Sequence, residues 1–81
     1  MHEDEFYRWL GRYIKELRKK KNRTQQDICY VFRLSRSSLS NIETGRHRLS
    51  IFALYELLCV LDEPFEKVID SMVVHHRHSK L

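Results

Sequence analysis

The chain has 81 residues and a mass of 9.9 kDa, with 42% hydrophobic and 32% charged residues, one proline, two glycines and two cysteines. That is room for one domain, 1–81, because a single core rarely divides below about 100 residues, and the composition excludes a disordered, collagenous or low-complexity chain. The formal net charge of +4 is unevenly spread: twelve Lys/Arg face three acids between Arg8 and Arg48, a local balance of +9, and the remainder sums to −5.

Phe6, Trp9, Leu10, Tyr13, Ile14 and Leu17 recur at helical spacing, so a first helix is predicted from about Glu5 to Lys21. Acids at its start and Lys19, Lys20 and Lys21 at its end suit the helix dipole. Asn22 fits a left-handed residue closing that helix. Thr24 is then an N-cap with Asp27 three residues on, which approximates a capping box for a short helix from Gln25 to Phe32. Ser35 caps a third helix, Arg36 to about Thr44, and Gly45 stops it. Ser50 caps a fourth, with Ile51, Leu54, Leu57, Leu58 and Leu61 in its inward stripe. Pro64 opens a fifth, about 64–77, which carries Phe65, Val68, Ile69, Met72 and Val73. Strand-like alternation is missing, and the expected fold class is all-α, a compact five-helix bundle.

The two cysteines, Cys29 and Cys59, lack metal or redox spacing and sit in apolar helical patterns, so both are expected as packed, reduced thiols. His75, His76 and His78 cluster near the C-terminus without a cysteine beside them, and no metal and no other cofactor is expected. No run approaches the roughly 20 apolar residues that cross a bilayer. The acidic start His2, Glu3, Asp4, Glu5 is the opposite of a leader peptide, so a soluble cytoplasmic protein with no membrane partner is expected.

The informative stretch is TQQDICYVFRLSRSSLSNIETG, Thr24 to Gly45: a short capped helix, a tight turn and a second capped helix, with Ile28, Cys29, Phe32, Leu34, Leu39 and Ile42 inward. Such an arrangement places its second helix in the DNA major groove. With the first-helix sequence LGRYIKELRKKK, the basic turn RHR and the pattern LSIFALYELLCVLDEPFEKV, it resembles the phage-repressor-type (Cro/CI-like, XRE) helix-turn-helix family over roughly Leu10 to Val68. The chain departs from the family in having Arg33 where a turn glycine is usual, and Asn22 and Arg23 before the cap of the second helix. A left-handed Arg33 costs about 1 kcal/mol or more.

The resemblance implies that Arg36, Ser37, Ser38 and Asn41 face base edges, which suits their chemistry: Arg pairs bidentately with guanine and Asn with adenine. The alternative for Arg36 is a phosphate contact alone. The resemblance also puts Gln25 on the DNA backbone, where the alternative is an ordinary exposed glutamine. Arg46, His47 and Arg48 form a basic loop expected to clamp phosphates, with Arg23, Arg33 and Lys21 as further candidates. Arg18 and Glu43 are expected, as in the family, to form a partly buried structural ion pair.

One recognition helix reads only a few base pairs, so a homodimer on a palindromic double-stranded operator is expected. Phe65, Ile69, Met72 and Val73 of the fifth helix are its candidate dimer interface; with Phe52 and Tyr55 nearby on the fourth helix they make more apolar surface than a monomer of this size needs, and Phe6, Tyr7 and Trp9 either cover the fifth helix or join the interface. The function implied is a sequence-specific transcriptional regulator, a repressor or controller protein, of bacterial or phage origin and without an evident small-molecule ligand. The alternative is an antitoxin or protein-interaction module on the same fold. No nucleophile–base pair, phosphate loop or metal triad supports an enzyme.

Overall fold

In the computed structural model, residues 2–79 are described, so positions 1, 80 and 81 of the expected domain lie outside the described residues. Five helices follow one another: α1 (Glu3–Lys20), α2 (Gln25–Phe32), α3 (Arg36–Glu43), α4 (Ile51–Val60) and α5 (Phe65–Ser79). The domain is all-α and compact.

Local chemistry accounts for the boundaries. Thr24 accepts from the Asp27 N–H at 3.1 Å and the Asp27 carboxylate accepts from the Thr24 N–H at 2.8 Å, a complete capping box. That bond, helped by the Thr24 hydroxyl and the Arg23 charge, holds the Asp27 carboxyl below its ordinary 3.8. A carboxyl with a lowered folded value stabilises the fold above the ordinary carboxylate range and loses that contribution as pH falls through the lowered value. The Ser35 and Ser50 hydroxyls cap α3 and α4 in the same way, accepting from Ser38 and Ala53.

Three helices end in Schellman closures, each with a left-handed residue after the C-cap. Asn22 closes α1, with the Arg23 N–H donating to the Arg18 carbonyl at 3.0 Å. Gly45 closes α3, and Asp62, at φ 55°, closes α4. Arg33 ends α2 at φ 56° and ψ 37°, so the turn keeps its left-handed geometry in spite of the side chain. Gly45 is needed for a second reason, since a Cβ there would lie 2.6 Å from the Arg8 Cα.

Leu10, Ile14 and Leu17 of α1, Ile28 of α2, Leu39 and Ile42 of α3, Leu54, Leu57 and Leu58 of α4, Leu61 and Val68 form one buried cluster. Cys29, Phe32 and Leu34 pack against it half-buried. Two expectations fail: Ile51 lies on the outer face of α4, and Cys59 is exposed rather than packed. Both belong to a helix that is apolar on every side, where periodicity marks no inner face.

Phe6, Tyr7 and Trp9 cover α5 within one chain. Trp9 stacks on His75 with ring centroids 5.5 Å apart, and Phe6 and Tyr7 line a depression with Met72 and His76. Tyr13 donates to Glu63 at 2.7 Å and ties α1 to the α4–α5 turn; burial first, and then this bond, raises its phenol above the ordinary value of 10.0.

Gly11 sits mid-helix where α1 crosses α3, and a Cβ there would clash with the Ile42 carbonyl oxygen. A Gly11→Ala variant is expected to push α3 off α1 and lose about 1 to 3 kcal/mol, measured by urea unfolding. Wild-type stability would mean that the crossing is looser than described.

Candidate nucleic-acid interface

α3 buries Leu39 and Ile42 and turns the opposite side outward. Arg36, Ser37 and Asn41 are exposed on that side. Ser38 is half-buried, with its hydroxyl bonded to that of Ser35 at 2.9 Å, so part of its hydrogen-bonding capacity is engaged inside the turn.

The orientation of α3 is set from beneath. Arg18 donates through Nε to Glu43 Oε2 at 2.7 Å and through Nη2 to Oε1 at 3.1 Å, a two-pronged contact between buried side chains of α1 and α3. Its third direction is also used, with Nη1 donating to the Arg23 carbonyl at 2.9 Å. Gln25 joins from the start of α2, its Nε2 donating to Glu43 Oε1 at 3.1 Å and to Ser40 Oγ at 3.2 Å. The side chain expected on a phosphate is thus also a strut between α2 and α3.

After Gly45, the Arg46 and His47 N–H groups both donate to the Asn41 carbonyl, at 2.8 and 3.0 Å. This fixes the basic loop against the last turn of α3 and leaves both side chains exposed. Arg23 is exposed beside the α2 N-terminus. The remaining candidates are placed differently. Arg33 stands at the opposite end of α2 and lines a groove with Tyr55 and Glu56. Arg48 is engaged by α1, donating to Glu3 at 2.7 Å and Asp4 at 3.2 Å, with its guanidinium 5.7 Å from the centre of the Tyr7 ring. Lys21 reaches the Asp62 carbonyl at 3.4 Å, toward the α4–α5 turn.

Of the α5 residues expected at a dimer contact, Phe65 and Met72 are half-buried against the core, and Ile69 and Val73 are partly exposed. Among the described residues no three His, Cys, Asp or Glu side chains gather as metal ligands, and no helix is long and apolar enough to cross a membrane. The sequence reading missed Gly11; its signal was a glycine interrupting a strong helical stripe, a mark of close backbone approach. It noted Phe52 and Tyr55 beside the fifth helix but missed that Ile51 and Cys59 join them in one exposed face of α4.

Two capped helices joined by a tight turn, the second pinned from below and polar on its outer side, define a DNA-binding helix-turn-helix domain. The helix-turn-helix family model (HTH_3) matches residues 14–68, more than half of the chain, and the chain belongs to this family, the XRE/Cro/CI type. No curated protein matches the chain in sequence.

Replacing Glu43 with Ala leaves the Arg18 guanidinium buried without its partner. Glu43→Ala is expected to lower stability by about 3 kcal/mol or more and to weaken DNA binding with it. An unchanged melting temperature would remove the pair from its structural role.

Proposed function

We propose that the protein is a sequence-specific transcriptional regulator of the repressor or controller kind, acting in the cytoplasm and reading a palindromic operator as a homodimer. The observation that carries this reading is the outer face of α3. Arg36, Ser37 and Asn41 are exposed together on a helix whose underside is held by Arg18, Glu43 and Gln25. Arg36 donates to guanine O6 and N7, Asn41 pairs with adenine, and the short Ser37 and Ser38 allow close approach. Glu43 is turned inward, so its carboxylate does not repel phosphates.

Backbone contacts fall to Arg23 and Gln25 on one flank and to Arg46 and His47 on the other. Arg48 contributes only when it leaves Glu3 and Asp4. Both acids and the guanidinium are solvent-exposed, so that exchange costs little.

Selection of bound sequences from a random DNA pool tests the reading. The expected product is a palindrome with half-sites one helical turn, about 34 Å, apart. Asn41→Ala is expected to relax one position of each half-site at a cost of about 1 to 3 kcal/mol. A steep salt dependence without sequence enrichment would overturn specific recognition.

A Glu3→Gln/Asp4→Asn variant releases Arg48 to the phosphates. Its affinity for operator DNA is expected to rise, and the slope of log affinity against log salt to steepen by about 0.9 per added phosphate contact. An unchanged slope would keep Arg48 off the DNA.

A further inference from the structure

α4 carries a single charged residue, Glu56, in ten. Leu54, Leu57 and Leu58 account for its core side. Its other side repeats the apolar pattern at Ile51, Phe52, Tyr55 and Cys59, one helical stripe facing outward. The stripe extends onto α2 through Val31, which lines a groove with Tyr55 and Cys59, and on to Tyr30 beyond it. Tyr30, Val31, Ile51, Phe52 and Tyr55 are between 54% and 87% exposed. Side chains of this size at these exposures present on the order of 600 Å² of apolar surface. A stable complex buries about 800 Å² per partner.

The geometry points to this α2–α4 face, rather than α5, as the surface that receives a second copy of the chain; the inference rests on the dimeric reading above and names its contact. The groove holds one cation, Arg33, and one anion, Glu56, and neither is in an ion pair among the described residues. Under a two-fold axis a contact between Arg33 and the partner's Glu56 is made twice, so one such pairing matches both charges of each groove. The aromatic residues fit the anchoring role that Tyr and Phe take at interface centres. On α5 the exposed apolar side chains are Ile69, Val73 and Val74, only 42–51% exposed and without an aromatic anchor. The α4 stripe begins directly after the basic loop, with Ile51 three residues past Arg48.

Sedimentation equilibrium of the full chain tests the surface, with circular dichroism as the check on folding. The wild type is expected to dimerise, and Tyr55→Arg to weaken self-association by at least about tenfold with unchanged helix content. Glu56→Arg is expected to weaken it about threefold or more, and adding Arg33→Glu to Glu56→Arg to restore it. In the wild type, maleimide labelling of Cys59 is expected to slow as protein concentration rises, and to remain fast in Tyr55→Arg. If the wild type dimerises, is indifferent to Tyr55→Arg and is dissociated by Ile69→Glu, the dimeric reading stands and this surface is wrong. A wild type that stays monomeric at every concentration, on DNA and off it, overturns the dimeric reading itself and the α2–α4 contact with it.

Discussion

The position of α3 depends on one buried contact, the Arg18–Glu43 pair. A buried ion pair contributes little net stability, because the attraction is offset by the loss of hydration. Here its effect is positional. Each Glu43 oxygen accepts from Arg18, one of them also accepts from Gln25, and the remaining arm of Arg18 closes on the Arg23 carbonyl. No buried side-chain polar atom among the described residues is left without a partner. The network therefore joins α1, the α1–α2 turn, α2 and α3, and any rotation of α3 breaks bonds on three sides. Gly11 completes the constraint from the other direction, since its missing side chain lets the Ile42 carbonyl approach α1.

That constraint also sorts the charges. With Glu43 consumed inside, the outer face of α3 and the loop after it present Arg36, Arg46 and His47 without an acid between them. The acidic residues at the start of α1 are not remote from this region, because Arg48 folds back to Glu3 and Asp4 across Tyr7. The division into a basic middle and an acidic remainder is thus a division along the chain more than across the surface. At Arg48 the two meet in an exposed contact weak enough for a phosphate to compete with it.

How far these features could be read from residues alone depends on how local their causes are. Thr24, Ser35 and Ser50 cap through groups three residues away, and the Asn22 and Gly45 closures are equally short-range, so sequence pattern placed them. The Arg18–Glu43 pair spans 25 positions and was reached by resemblance, not by spacing. Arg48 against Glu3 spans 45, and nothing in a charge pattern says which acid a surface arginine will meet. Gln25 was expected at a phosphate by resemblance, yet its amide lies within reach of Glu43 only because α2 crosses beside α3. α4 failed for a different reason: a helix apolar on every side has no pattern from which an inner face can be chosen, so Ile51 and Leu54 looked alike.

The same ambiguity in α4 connects the site to the proposed dimer. A half-site spacing near one helical turn of DNA requires the two recognition helices to be held at a fixed separation. Only residues 44–50 separate α3 from α4, and little of that segment is free to move. Gly45 takes the Schellman closure, the Arg46 and His47 amides share the Asn41 carbonyl, and Ser50 caps α4. A contact made through α4 is therefore transmitted to α3 over a short, hydrogen-bonded path. A contact through the outer end of α5 would reach α3 by longer routes, through the aromatic side chains of α1, where Trp9 and His75 stack, or back through the α4–α5 turn and α4 itself. On the proposed dimeric reading, which fixes the distance between two copies of α3, α4 is the stiffer choice.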